Sequence, residues 1–418
     1  MKKIITIILT LAIIATVAAG LVACKKTDSN KTVSFSPIAK KDIKLGLITL
    51  HGESSTYDKN FIDAAKKACD DLGVKYVIKT DVNESNACYE AAVDLVNDGC
   101  NIIFADSFGH EAFLLKAAKE FPNVRFAHAT GTTAHTELQA NFYNAFASIY
   151  EGRYLAGIAA GMKLNAINAD KADNQKNFKM GYVGAYTYAE VISGLTSFYL
   201  GAKSVCPDVT MAVKFTGSWY EETLEREAAL ALIDQENCAL ISQHADSMGA
   251  PNACKEKNVP NVTYNLSTQA SCANTYLIGS KINWVPYFTY LINCTMNGVT
   301  AVDFDWCGGI AEGAVQITGL NETVAAAGTQ EKIDEAIAAF KAGTLKVFDT
   351  STFTVGGKAL ETQLADVDTD VAYQADTQVI LTEVIDGKTV SYFNESAYRS
   401  APYFDIEIDG ITFLNKAF

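Results

Sequence analysis

Residues 43–72 read Ile-Lys-Leu-Gly-Leu-Ile-Thr-Leu, then His-Gly-Glu-Ser-Ser-Thr-Tyr-Asp, then Lys59 to Leu72 with apolar residues at helical spacing. An apolar strand ends in a polar, aromatic-tipped loop, and the loop feeds directly into a helix. The unit recurs. Asn101 to Ala105 opens onto Asp-Ser-Phe-Gly-His, Met211 to Thr216 onto Gly-Ser-Trp-Tyr-Glu-Glu, and Ala239 to Gln243 onto His-Ala-Asp-Ser. In an open parallel sheet, ligands bind beyond the carboxyl ends of the strands. A chain that repeatedly sets Asp, Ser, Phe and Trp at strand tips is therefore expected to form a small-molecule cleft.

Outward from these units, strand and helix signals alternate every 25 to 30 residues or so, the βαβ rhythm of a parallel sheet covered on both faces. Strands are expected at Ile43–Leu50, Lys75–Lys79, Asn101–Ala105, Val124–Ala127, Lys179–Val183, Met211–Phe215, Ala239–Gln243, Asn261–Tyr264 and Tyr276–Ile278. Nine such strands in 418 residues exceed what one core supports, so the fold class is α/β with two lobes. Past Asp305-Trp306-Cys307-Gly308-Gly309 the rhythm fades. One amphipathic helix, Glu331 to Ala342, precedes a Thr/Val/Asp-rich tail that reads as short antiparallel strands.

Hydrophobic residues make up 49% of the chain and charged residues 20%, an ordinary globular composition. The formal net charge is −14, and no basic stripe interrupts the acidic surface beyond the first few dozen residues, so nucleic acid is not expected as a partner. Residues 1–24 stand apart. Lys2-Lys3, an apolar run from Ile4 to Ala19, and Leu21-Val22-Ala23-Cys24 form a signal peptide ending in a lipobox, with a membrane-anchoring helix as the alternative. Residues 25–42, Ser/Lys-rich, are expected to be a flexible tether. The nine cysteines after Cys24 include no CxxC pair and no His at zinc-finger spacing, so no metal site is expected, and most read as small buried hydrophobes.

No Walker loop, GxGxxG after a strand, GxSxG elbow or HExxH occurs, so no catalytic residues and no cofactor are expected. Asp366, Asp368 and Asp370 imitate the start of a calcium loop, but Val371 stands where the turn glycine belongs and Thr377 where the bidentate Glu belongs. A solvated strand face is the better reading.

The candidate ligand-binding residues come from the strand tips. Tyr57, Asp58, Asn60 and Phe61 open the first helix, where Asp58 also suits an N-cap and free backbone N–H groups suit ligand oxygens. Asp106, Ser107 and Phe108 follow one buried strand and Asp246 another, while Trp219 offers a flat stacking surface at a third tip. His51, His110 and His244 lie near tips as well; a three-His metal site would require all three to converge.

Taken with the lipobox, Thr56-Tyr57-Asp58-Lys59-Asn60-Phe61, Ser107-Phe108-Gly109, Ala129-Thr130-Gly131, Tyr154-Leu155-Ala156-Gly157, Gly217-Ser218-Trp219-Tyr220 and Asp305-Trp306-Cys307-Gly308-Gly309 resemble the basic membrane protein family of substrate-binding lipoproteins. They are similar to the purine nucleoside receptors of ABC importers, from about Lys41 to about Phe348. The resemblance implies a type I periplasmic-binding-protein fold, two Rossmann-like lobes around a central cleft, and a purine stacked between Phe61 and Trp219. It implies an ABC permease as partner and a lipid on Cys24 holding the protein at the extracytoplasmic face of the membrane. Asn265 falls at the position of a ribose-binding Asp and Asn283 at that of a Lys, while Ile62 replaces a further Asn. These departures leave a free nucleobase open alongside the nucleoside. A sugar or other small metabolite, an exported hydrolase using Asp106 or Asp246 as base, and an adhesin or sensor without a permease are the alternatives. The N-lobe is expected to comprise residues 43–141 plus 283–305 and the C-lobe 142–282 plus 306–418, the latter with a C-terminal extension.

Overall fold

Among the described residues seventeen strands follow one another: β1 (Lys44–Ile48), β2 (Lys75–Lys79), β3 (Ile102–Ala105), β4 (Arg125–Ala129), β5 (Phe142–Ala147), β6 (Lys179–Gly184), β7 (Thr210–Phe215), β8 (Leu240–Gln243), β9 (Asn261–Tyr264), β10 (Tyr276–Ile282), β11 (Asp305–Gly308), β12 (Val315–Ile317), the short β13 (Leu364–Ala365) and β14 (Thr377–Gln378), β15 (Ile380–Ile385), β16 (Lys388–Phe393) and β17 (Ile411–Phe413). The structure is a computed structural model and describes residues 34–418; the leader, Cys24 and most of the expected tether lie outside the described residues. Two sheets organise the fold. The first has the order β11-β5-β4-β3-β1-β2 and is parallel throughout. The second has the order β12-β10-β9-β8-β6-β7-β17, parallel except for β12 against β10.

The helices α1 (Thr56–Leu72), α2 (Asn86–Asn97), α3 (Glu111–Glu120), α4 (Ala134–Glu137), α5 (Ile149–Asn168), α6 (Ala189–Val205), α7 (Glu222–Asp234), α8 (Gly249–Lys257), α9 (Val285–Met296) and α10 (Thr329–Lys341) complete the layers. Local chemistry sets their ends. Ser55 caps α1 by accepting from the Asp58 N–H, and Gly73 closes it in the left-handed conformation that costs glycine least. In the second half, α5 and α6 pack backbone to backbone. A Cβ on Gly157 would lie 2.1 Å from the Phe198 carbonyl oxygen and one on Gly201 2.1 Å from that of Tyr154, so only glycine permits the approach.

Three crossovers connect the sheets: β5 into α5 at residues 147–149, β10 into α9 at 282–284, and β11 into β12 at 308–315. From the sequence they are expected near residues 141–144, 278–283 and 303–308. The first comes later, because Phe142–Ala147 is a fully buried strand of the first sheet and not the opening of the second half. The expected boundary at Asn141 therefore moves to about Ala147, and β11 carries the first half to Gly308. The expected tether also ends early. The Arg125 guanidinium lies 3.8 Å from the centre of the Phe35 ring, and Ile38 packs on the core, so two apolar residues dock a segment whose average composition is polar.

Residues 344–418 form the extension. Its β15–β16 hairpin is antiparallel as expected, and the Phe348 ring stacks on Phe404 at 4.4 Å. Its last strand behaves otherwise. β17 adds in parallel to the edge of the second sheet beside β7, where Asn415 accepts from the Phe215 N–H at 2.8 Å and donates to its carbonyl at 2.9 Å. Asp366, Asp368 and Asp370 lie on a looped segment between β13 and β14, not on a strand face.

Candidate functional site

A cavity of about 320 Å³ opens between the carboxyl ends of the two sheets. From the first half it is lined by the loop after β1 and the start of α1 (His51, Tyr57, Asp58), by Ser107 and Phe108 after β3, and by Thr130 after β4. The second half contributes Tyr188 and Glu190 after β6, Trp219 after β7, and His244 and Asp246 after β8. These are the strand tips that the topology directs toward a cleft. The halves touch around it. The Thr56 N–H donates to the Asp246 carbonyl at 3.0 Å, and the ring centres are 5.3 Å apart for His51 and Tyr220 and 5.7 Å for Phe108 and Tyr188.

Each polar group is held from behind. Asp58 accepts from the His51 N–H at 2.7 Å and from the Ser55 hydroxyl at 2.5 Å, so it braces the loop as well as facing the cavity. Glu84 accepts from the Ser107 hydroxyl at 2.6 Å and from the Gly109 N–H at 2.7 Å, fixing the turn that projects Phe108, which is 45% exposed. Thr130 has φ of +64°, a left-handed conformation that β-branched residues adopt only under constraint and that concentrates at functional sites.

In the second half, buried Arg153 donates to the Gln243 carbonyl at 2.9 Å and to His244 Nδ1 at 3.2 Å, and its guanidinium lies 3.5 Å from the centre of the Tyr264 ring. His244 Nδ1 is thereby an acceptor and Nε2 carries the proton, which points at Glu190 Oε2, 3.1 Å away. Burial holds the His244 pKa below its usual value, keeping the imidazole neutral. Burial, reinforced by Asp58 and other nearby carboxylates, raises that of Asp246 well above the carboxylate range. One oxygen of each wall carboxylate, Glu190 Oε1 and Asp246 Oδ1, is buried without a partner. Buried polar atoms are almost always satisfied, so these two are free to accept N–H or O–H groups from a guest. Trp219 lies edge-on to Tyr186, with ring centres 5.0 Å apart, and beside Tyr188, giving the same wall an aromatic surface.

Of the candidates read from the sequence, the cavity gathers Tyr57, Asp58, Ser107, Phe108, Trp219 and Asp246. Five others are placed elsewhere. Phe61 is fully buried and stacks on Trp284 at 4.4 Å, so it cannot form one face of a sandwich with Trp219: it occupies a core-facing position of α1. Asn60 donates to the Ile282 carbonyl at 2.6 Å and pins α1 to the second crossover. Asp106 is wholly buried behind the loop and accepts from the Leu50 N–H at 3.2 Å, while burial and then Asp58 raise its pKa well above the usual range. Asn265 sits buried at φ of +62° beyond β9, tied to β10 through its backbone. Asn283 accepts from the Val285 N–H at the start of α9 and donates to the Gly313 carbonyl, serving the crossovers. His110 is likewise buried away from the cavity, its Nε2 2.8 Å from the Val82 carbonyl oxygen, so His51, His110 and His244 do not converge there.

Tyr188, Glu190 and Thr130 also line the cavity and were not singled out. The strand-tip rule reaches Tyr188, since Ala-Tyr-Thr-Tyr follows β6 as Gly-Ser-Trp follows β7. Arg399 and Asp405, contributed by the extension, carry no sequence signal.

Comparison with known proteins agrees with this geometry. Residues 48–343 match the family model for PnrA-like ABC transporter substrate-binding proteins. The chain is 30% identical over 284 residues to a purine-binding protein of Brucella abortus, covering 67% of this chain and 76% of that one. It is 30% identical over 250 residues to a putative ABC transporter glucose-binding protein of Haloferax volcanii, 59% of either chain. Among solved structures, ABC solute-binding proteins from Aeropyrum pernix (TM-score 0.61, 18% identity, 73% of this chain and 93% of that one) and Conexibacter woesei (0.59, 18%, 73% and 98%) share the fold, a type I periplasmic-binding-protein architecture. The chain thus belongs to the PnrA-like ABC transporter substrate-binding family: a two-lobed extracytoplasmic receptor, not an enzyme, that holds a small molecule and delivers it to a permease.

Proposed function

We propose that the ligand is a purine nucleoside or nucleobase, captured as the two halves close on it, and that a lipid on Cys24 tethers the receptor to the membrane. The observation that carries the ligand reading is the wall of Tyr188 and Trp219 beside two buried, unpartnered carboxylate oxygens on Glu190 and Asp246. A flat heteroaromatic ring with N–H or hydroxyl donors answers both features: the rings stack it and the oxygens accept from it. The name of the Brucella relative points the same way. A sugar is the second reading, favoured by the same carboxylates, which accept from hydroxyls, and by the name of the Haloferax relative.

Calorimetry with a panel of purine nucleosides, purine bases, pyrimidine nucleosides and hexoses separates the two. Stoichiometric binding of a purine, recovered unchanged, supports the first reading; binding of hexoses alone overturns it. For the tether, Cys24→Ala should leave the protein unprocessed or released from the membrane, and unchanged retention with the same mature N-terminus contradicts it.

A further inference from the structure

We propose that Arg399 is a specificity-determining residue that donates to the O6 and N7 edge of a 6-oxopurine and so favours hypoxanthine- and guanine-type ligands over adenine-type ones. The inference rests on the purine reading and deepens it.

Arg399 belongs to the extension, which lies beyond residue 343, where the family match ends. The extension nevertheless supplies part of the cavity lining, Arg399 and Asp405 included. It is fastened to both halves. Ser400, next to Arg399, donates through its N–H at 3.0 Å and its hydroxyl at 2.8 Å to Asp305 Oδ1 on β11 of the first sheet. On the other side, β17 joins the second sheet, the Thr187 N–H donates to the Ala417 carbonyl at 2.7 Å, and Ser193 donates to Glu395 Oε1 at 2.5 Å. A side chain fixed at such a junction is held in place before a ligand arrives, and preorganisation of this kind reduces the ordering cost of binding.

The guanidinium is only partly used. Nε donates to the Ala401 carbonyl and Nη1 to that of Asp366, both at 3.3 Å, and the Tyr403 ring centre lies 5.7 Å away. Among the described residues Nη2 has no hydrogen-bond partner, and no carboxylate lies within ion-pairing distance of the group. Arg399 thus brings a cationic donor to a cavity whose acidic residues, Asp58, Glu190, Asp246 and Asp405, present acceptor oxygens.

That pairing selects among purines. A 6-oxopurine presents O6 and N7 as adjacent acceptors, which suit an arginine fork, and beside them an N1–H that a carboxylate accepts. Adenine sets an amino group where O6 would be, so donor meets donor at arginine, and its N1 carries no hydrogen for a carboxylate. A site built to hydrogen-bond one pattern rejects the other because its own groups are left unpaired.

The test is titration calorimetry on the full chain with inosine, guanosine, adenosine and 7-deazaguanosine. Wild type should bind inosine and guanosine roughly 5- to 150-fold more tightly than adenosine, the discrimination of one good bidentate pair. Removing N7 should weaken 7-deazaguanosine relative to guanosine, a comparison that needs no variant. Arg399→Met should lose the preference through weaker inosine binding, with adenosine unchanged or tighter; Arg399→Lys, which keeps the charge without the fork, should restore only part. If wild type binds purines but ranks adenosine level with inosine, or 7-deazaguanosine level with guanosine, the role of Arg399 is overturned and the purine reading stands. If neither these nucleosides nor hypoxanthine, guanine and adenine bind, both fall.

Discussion

Phe61 faces the core from within α1 and Phe108 projects from the loop after β3, so truncating each should affect a different quantity. Phe61 is 0% exposed, with ring centres 4.4 Å from Trp284, 4.9 Å from Tyr57 and 5.6 Å from Phe104. Cutting a fully buried Phe to Ala removes its transfer free energy and leaves a cavity, together about 3–5 kcal/mol of stability. The Trp284 indole, itself buried, cannot collapse into that space without leaving its own contacts, which argues for the upper half of the range. Phe108 is 45% exposed and touches Tyr188 across the cleft at 5.7 Å. Its truncation should cost at most the one aromatic pair, about 0.5–1.5 kcal/mol. In affinity the order reverses. A base–aromatic stack contributes on the order of 1–3 kcal/mol, so Phe108→Ala should weaken purine binding roughly 5- to 150-fold, whereas a refolded Phe61→Ala should bind nearly as wild type. Urea unfolding without ligand and calorimetry with ligand measure the two quantities separately. The reasoning is refuted if Phe61→Ala keeps its stability and loses affinity, or if Phe108→Ala unfolds as easily as a core variant while binding normally.

Glu225 accepts from the Ser247 N–H behind the Asp246 loop, and burial raises its pKa to about 7. In the unfolded chain it ionises near pH 4.5, so the folded state holds the extra proton between about 4.5 and 7, and stability drains away across that window as pH rises. Wild type should therefore lose stability relative to Glu225→Gln from pH 5 to pH 7 and run parallel above it, read from urea midpoints; parallel curves throughout would remove the assignment. Asn60→Ala leaves the Ile282 carbonyl unsatisfied in the core and should cost about 1–3 kcal/mol in urea unfolding, a larger effect than on purine affinity. Like charges brought together at a site cost several kcal/mol, so with Asp58 and Glu190 facing the cavity a 5′-monophosphate should bind roughly 100-fold or more weakly than its nucleoside in competition calorimetry.

Much of the architecture was legible because a buried parallel strand is a short apolar run, and all nine expected strands begin within one residue of the observed ones. The strand Phe142–Ala147 escaped because it sits directly against a crossover, with Asn144 in mid-run, where its side chain bonds back to Ala134 and Glu111. Sequence pattern also placed six cavity residues, since topology alone fixes where strand tips point. It misplaced Phe61 because an aromatic near the start of a helix serves cleft or core according to the helix's rotation, which is set by distant Trp284. Asn265 and Asn283 followed motif position, yet the Asn283 side chain serves crossover backbone and neither residue lines the cavity. Arg399 reaches the cavity only through β17 and Ser400, pairings with segments far away in the chain that no local pattern records.

The most direct test of the receptor reading is a crystal structure of the protein grown with inosine. The purine ring should lie against the wall of Phe108, Tyr188 and Trp219, with Asp246 or Glu190 accepting from it. If the ring slips between Phe108 and Tyr188, their centres should part from 5.7 Å to about 7 Å, room for two contacts of about 3.5 Å. A cleft that stays empty at saturating inosine and, in a second crystal, at saturating hypoxanthine, or a purine bound away from this wall, would contradict the account.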